Sequence, residues 1–138
     1  MKRDARLHGL SSDHHHALVL ARSLAERKRE WTHADGVDLG RRFISELEPH
    51  FRIEEDLLLP ALRHRGATTL VDRTVEDHAF LRSRVEAARS GDGVAARAFA
   101  DRLRDHVRFE ERGLFPACEE LLPDDVLEAV ARRAPHTR

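Results

Sequence analysis

The chain has 138 residues, 41% hydrophobic and 36% charged, with 24 Lys+Arg against 25 Asp+Glu and a net charge of −1. Its size fits one domain, taken as residues 1–138 with a core from about residue 10 to residue 121; it is too apolar for a disordered chain and too charged for a membrane protein. The near-zero charge argues against nucleic acid or an anionic membrane as the main partner, and no apolar run approaches the roughly 18 residues of a membrane helix.

Ala, Leu, Arg and Glu dominate, and alternating runs of β-branched and aromatic residues are missing, so the pattern is helical throughout. A first helix is expected from an N-cap at Ser11 or Ser12 to about Arg29, followed by a loop with Trp31, His33 and Gly36. A second is expected from about Val37 to Leu59, kinked at Pro49 just before His50, ended or kinked at Pro60, with a further turn to Gly66. A third runs from about Thr68 to Arg89 and leads into the turn Ser90-Gly91-Asp92-Gly93. A fourth runs from about Val94 to Leu114, with Pro116 as its limit, and two short helices flank Pro123. Four long amphipathic segments with short connections specify an all-α, up-down four-helix bundle with short C-terminal helices.

The chain carries an internal repeat. His50-Phe-Arg-Ile-Glu-Glu-Asp-Leu-Leu-Leu-Pro-Ala61 lies over His106-Val-Arg-Phe-Glu-Glu-Arg-Gly-Leu-Phe-Pro-Ala117 with seven of twelve positions identical. Phe43 and Leu47 match Phe99 and Leu103 at the same offset, and Asp13-His14 echoes Asp77-His78 more weakly. Two helical hairpins of similar design would place the second and fourth helices in equivalent environments.

The ten histidines carry the functional reading. At about 100° per residue, His50 shares an arc with Phe43, Leu47, Ile53, Glu54 and Leu57. His106 shares one with Phe99, Leu103, Phe109 and Glu110; His78 with Val71, Val75, Leu81 and Val85; His14 with Leu10, Ala17, Leu18, Ala21 and Ala25. His15 points toward Arg22 and Glu26, and His16 to the far side with Leu20. His8, His33, His64 and His136 fall in presumed loops or ends.

A single core-facing histidine is ordinarily a hydrogen-bonded packing residue. Four imidazoles and two carboxylates in one small core are different, because each unpaired buried carboxylate costs several kcal/mol even after relaxation, on the order of 5. Metal ions remove that cost, and imidazole with carboxylate suits iron, zinc or copper in a bundle core. Six protein ligands on one ion would close it, so two ions are expected: His14 with His50 on one, His78 with His106 on the other, Glu54 and Glu110 bridging. Two divalent ions carry +4 against −2, and an oxo or hydroxo bridge would offset the remainder. Cys118 lies past the ligand turn and reads as a small buried side chain.

His14, His50-x-x-x-Glu54, His78 and His106-x-x-x-Glu110, each Glu leading into Leu-Leu-Pro or Leu-Phe-Pro, resemble the hemerythrin-like HHE cation-binding domain family over about Leu10 to Leu121. The resemblance implies an up-down bundle around a non-haem di-iron centre whose members bind oxygen, sense oxygen or redox state, respond to nitric oxide, or repair iron–sulfur clusters. The oxygen carriers have two histidines one turn apart on the third helix, whereas Thr74 and Arg82 flank His78 here. They also place an aspartate after the fourth helix's histidine at a longer spacing than that of Glu110. The chain therefore is similar to a bacterial four-His, two-Glu branch. His15 remains the alternative to His14. A ferritin-like site would need two inward Glu-x-x-His pairs, and Glu30-x-x-His33 falls at a loop.

Around the site, Glu46 faces inward one turn before His50, and an ion pair with Arg102, a ligand role or a hydrogen bond to an imidazole are its candidate roles. Gly113 stands where the repeat has Leu57; it leaves space for a small ligand or for close helix packing. Phe51, Phe80 and Phe115 lie off the ligand arcs as covers. With no visible nucleophile or general base, the first functional expectation is binding or sensing of a small diatomic ligand, O2 or NO. A di-iron peroxidase, oxidase or nitric-oxide-linked repair enzyme is the second, and a zinc-stabilised structural bundle the third. No apolar segment follows the basic N-terminus and Cys118 is alone, so a cytoplasmic location is expected.

Overall fold

A computed structural model describes residues 2–135; His136 lies outside the described residues. Among them there are five helices and no strand. The first, α1, is His8–Ala25, preceded by a 3-10 turn Ala5–Leu7 that Asp4 caps by accepting the Arg6 N–H. It starts before Ser11 and Ser12, and neither caps it, because the Asp4 turn supplies the entry instead. Its C-terminal end comes at Ala25 rather than near Arg29.

Helix α2 covers residues 33–64. Thr32 accepts from the Asp35 N–H while the Asp35 carboxylate accepts from the Thr32 N–H, a reciprocal cap that draws His33 and Gly36 out of the expected loop and into the helix. Three α-helical stretches, His33–Arg42, Glu48–Ile53 and Leu59–His64, are joined by π-helical turns Phe43–Leu47 and Glu54–Leu58. Gly66, at φ +85°, closes this helix in a conformation open to glycine. Helix α3 is Thr68–Arg89, as the sequence predicts. Helix α4 covers residues 93–121: Gly93–Phe109 capped by Asp92, a π turn Glu110–Leu114, and Phe115–Leu121. Helix α5 is Asp124–Arg133.

Neither Pro60 nor Pro116 ends its helix. Each of Pro49, Pro60 and Pro116 comes six residues after the first residue of a π turn, and the residue just before it donates its N–H five residues back: Glu48 to Phe43, Leu59 to Glu54, Phe115 to Glu110. A proline has no N–H for the ladder and crowds the preceding turn; one inserted residue absorbs the misfit and lets the helix continue. The insertion also rotates the downstream turns, so Leu58 rather than Leu57 is fully buried.

Helix α1 packs on α4 and α2, and α3 on α2 and α4, so the four long helices close a bundle in sequence order. Apolar side chains form two clusters. One holds Leu20, Phe43, Phe51, Leu81 and Phe99, and Trp31 packs against it while donating to the Ala88 carbonyl at 2.9 Å. The other holds Leu10, Leu58, Leu114, Phe115 and the α5 residues Leu127 and Val130. Every long helix passes from one cluster to the other through the same level, and there its sequence turns polar.

Candidate metal centre

That level is occupied by His14 of α1, His50 and Glu54 of α2, His78 of α3, and His106 and Glu110 of α4, all buried. The structure brings all six together. One donor atom from each of His14, His50, Glu54 and Glu110 lies within 4.8 Å of the others, and so do donors from Glu54, His78, His106 and Glu110. The two groups share both glutamates. His15 and His16 are exposed. His8 and His33 begin helices and His64 ends one, so the three sit at helix ends, and none of them belongs to either four-donor group.

The four Nε2 atoms face the carboxylates. His14 Nε2 is 2.8 Å from Glu110 Oε1, and His78 Nε2 is 3.0 Å from Glu54 Oε1. His50 Nε2 lies 3.0 Å from Glu54 Oε2 and 3.5 Å from Glu110 Oε1, and His106 Nε2 lies 3.1 Å from Glu110 Oε2. Yet His50 Nε2, Glu54 Oε2, His106 Nε2 and Glu110 Oε2 are buried with no hydrogen-bond partner. Buried polar atoms this close and without a hydrogen-bond partner fit a cation between them. Two donors each about 2.1 Å from one ion and at right angles lie about 3.0 Å apart. The donor set of imidazole and carboxylate without thiolate fits the same group of metals.

The imidazoles and carboxylates also shift one another's protonation. Desolvation pushes each imidazole toward its neutral form, but bonds and charge from Glu110 and Glu54 outweigh it, so His14 and His78 are raised and His50 is raised well above 6.5. Burial likewise opposes the charged form of His106, yet Glu110 and Asp77 hold it up to about 10. Desolvation raises Glu110, but the imidazolium charge and hydrogen bonds around it keep it well below 4.5.

The outer side of each ring carries a feature that helical periodicity does not reveal. The Nδ1 atom of each of these four histidines meets a carboxylate from a neighbouring helix: His50 with Asp13 at 3.1 Å, His78 with Glu55 at 2.7 Å, His106 with Asp77 at 2.8 Å and His14 with Glu111 at 2.6 Å. The acids come from α1, α2, α3 and α4 in turn, so the four bonds form a closed ring around the bundle. Each acid is adjacent in sequence to a core residue, in Asp13-His14, Glu54-Glu55, Asp77-His78 and Glu110-Glu111. Those doublets are the available sequence signal. Three acids are held by arginine: Glu55 by Arg82 at 2.7 and 3.0 Å, Asp77 by Arg102 at 3.3 Å, and Glu111 by Arg3 at 3.2 Å.

Arg102 thus pairs with Asp77, not with Glu46. Glu46 is exposed and pairs with Arg42 at 3.2 Å, because the π turn Phe43–Leu47 breaks the 100° progression on which its inward direction rested. The same progression misplaces Val75, which is 48% exposed, while Thr74 and Asp77 are buried. Leu18 is exposed and Leu20 buried, the reverse of their expected sides. Phe51 stacks on His78 at 4.0 Å and Phe115 on His14 at 5.1 Å, so these two cover the cluster directly. Phe80 is half-buried beneath Arg102, away from the rings.

Gly113 borders no ligand space. A Cβ there would meet Leu70 and Phe109 at 3.9 Å, ordinary contact, so the position requires neither a cavity nor close packing. Gly113→Ala is expected to stabilise the chain by about 0.5–1 kcal/mol through lower unfolded-state entropy, read as a melting temperature higher by about 3 °C. Cys118 is fully buried in the α5-side cluster, and burial pushes its thiol well up.

The family model for the hemerythrin HHE cation binding domain matches residues 5–118. No curated protein and no solved structure matches the chain. No helix among the described residues is long and apolar enough to cross a membrane.

Proposed function

The chain belongs to the hemerythrin HHE cation-binding family, and on that footing we propose that it is a non-haem di-iron protein binding or sensing a small diatomic ligand, O2 or NO. The observation that carries this reading is the pair of four-donor groups sharing Glu54 and Glu110. His14 and His50 would hold one ion and His78 and His106 the other, with the two glutamates bridging. This is the four-His, two-Glu ligand set. With four protein donors in each half, each ion falls short of six ligands. An iron pair held there would supply redox activity and a site for a small ligand; the protein supplies the rest.

The ring of acids defines the work of the chain's own residues. An imidazole that donates its Nδ1–H to Glu111, Asp13, Glu55 or Asp77 keeps its Nε2 lone pair facing inward, with its plane fixed. Phe51 and Phe115 exclude water from the flanks. Besides the ligands and their acids, no nucleophile or general base among the described residues faces the cluster, which favours binding over turnover. Asp77→Asn is expected to lower metal affinity about 10- to 100-fold, because a neutral amide replaces the charged carboxylate: one oxygen remains for the two groups Asp77 serves, the His106 Nδ1–H and Arg102, and Arg102 loses its counter-charge. Competition against a calibrated chelator measures this, and unchanged affinity would contradict the role given to Asp77.

Anaerobic purification with metal quantification, and spectra before and after O2 or NO, tests the whole reading. Two irons per chain and a reversible visible charge-transfer change are expected. A protein that carries only zinc, with no visible bands, overturns it; steady consumption of peroxide or NO without a lasting spectral change moves it to an enzyme.

A further inference from the structure

A cation bound at this level has to pass between helices to reach it, and the four corners of the ring are not equally closed. At His78, Phe51 stacks on the ring and Arg82 grips Glu55 with both terminal nitrogens. At His106, Asp77 is 3% exposed and lies between Arg102 and Arg73. At His14, Phe115 stacks on the ring, and Arg3 and Ser11 both reach Glu111. At His50, the acid is Asp13, whose side chain is 40% exposed and which has no arginine partner among the described residues.

This fourth corner opens into a cavity of about 350 Å³ between α1, α2 and the segment after α5. Buried His50 and half-buried Asp13 line it together with exposed His16, Ser45 and Glu46, and its charges include Arg133, which Asp56 neutralises at 2.9 Å, and the Arg42 paired with Glu46. A divalent ion with six waters at about 30 Å³ each needs about 180 Å³, so the space admits a hydrated ion. The α2 wall is the π turn Phe43–Leu47 and Pro49, a stretch whose helix ladder already lacks one donor. The groove lined by Leu70, Arg73 and Gly113, and the one lined by Val37, Gly40 and Ile44, reach none of the six donors.

We propose that the cavity beside His50 is the port through which divalent cations enter and leave the centre, with Asp13 and Glu46 as the carboxylates that draw them in. This assignment gives Glu46, an inward-facing candidate in the sequence and a surface residue in the fold, a role in loading rather than in ligation. It also makes the two halves of the centre kinetically unequal: the His14–His50 half lies next to the port, and the His78–His106 half fills and empties through it.

The proposal rests on the metal-centre reading, and its test separates the two. Ser45→Cys places a thiol at the mouth, and a bulky maleimide added to the folded, metal-free protein plugs it; buried Cys118 stays unlabelled. Ser83→Cys on the exposed face of α3, labelled alike, is the control. Cobalt(II) is the probe, with uptake followed by its visible absorption and release followed on adding EDTA. The plugged protein is expected to load and release cobalt about tenfold more slowly than the control, or more slowly still, and to reach the same two ions per chain. Glu46→Gln, unlabelled, is expected to slow uptake at low salt, with the difference shrinking as salt screens the port. Equal rates in the plugged and control proteins, with two ions bound in both, overturn the port and leave the centre standing. Failure of unlabelled protein to bind cobalt at all overturns the centre, and the port falls with it.

Discussion

Glu110→Ala is expected to end two-ion loading. One carboxylate oxygen of Glu110 lies 2.8 Å from His14 Nε2 and 3.5 Å from His50 Nε2, and the other lies 3.1 Å from His106 Nε2. In the proposed centre it would therefore be a donor to both halves, and its loss would leave three protein donors in each. Charge makes the loss larger than a ligand count suggests. Two divalent ions facing Glu54 alone would leave most of their charge uncompensated in a dry core, where desolvation costs several kcal/mol per ion, on the order of 5. An affinity loss of at least about 100-fold, or about 2.7 kcal/mol, is expected, so that desalted protein retains fewer than two ions. Glu54→Ala should behave alike, since Glu54 meets His50 and His78. Glu110→Gln separates charge from packing: it keeps the side-chain volume and should still fail. Metal quantification after desalting reads all three, and two ions per chain in both alanine variants would refute the bridging roles.

Much of this arrangement is legible in the sequence. One histidine on the apolar face of each long segment, with glutamate four residues after two of them, specifies six converging groups, and the described fold gathers those six. Helix α3 is legible to its ends because nothing interrupts its ladder. Several errors fall where proline does, although Val75 on α3 and Leu18 on α1 are misplaced without one. Periodicity assumes a constant 100° step, and the π turns at Phe43–Leu47, Glu54–Leu58 and Glu110–Leu114 break that assumption. This is why periodicity turns Glu46 inward and prefers Leu57 to Leu58, and why Pro116, expected as a helix limit, lets the helix continue. Glu54 and Glu110 each occupy the first residue of such a turn. The inserted residue thus begins at a proposed ligand and ends before a proline, and the repeated Glu-x-x-x-x-x-Pro spacing is its sequence trace.

The ring of acids is harder to read, for a different reason. A carboxylate adjacent to a core residue points about 100° away from it and so looks solvated on a helical wheel. Only the neighbouring helix turns Asp13, Glu55, Asp77 and Glu111 into partners, and helix pairing is not contained in the periodicity of one segment. The ring joins every adjacent pair of helices at the level where apolar packing is interrupted. It therefore orients the imidazoles and also supplies cross-links between helices where the two apolar clusters do not meet.

Removal of the cations should cost stability, and the cost should grow with pH. In the cation-free protein, imidazolium charge balances Glu54, Glu110 and the outer acids. Those histidines are raised in the folded state, from 6.5 to about 10 for His106, so their stabilisation is fully present below the unfolded value and is lost as pH rises through the folded one. Between those limits the metal-free bundle progressively loses the protons that hold its core carboxylates. The loaded protein has the opposite dependence, because its imidazoles bind metal only when unprotonated and acid displaces the ions. At free metal about 1,000-fold above Kd, binding adds about 4 kcal/mol, a gap in melting temperature of about 10 °C for a chain of this size. The gap between loaded and EDTA-treated protein should be small near about pH 5 and widen steadily toward about pH 9. Thermal melts in matched buffers across that range measure it, and coincident melting of the two forms at every pH would mean that the buried cluster is balanced without any ion.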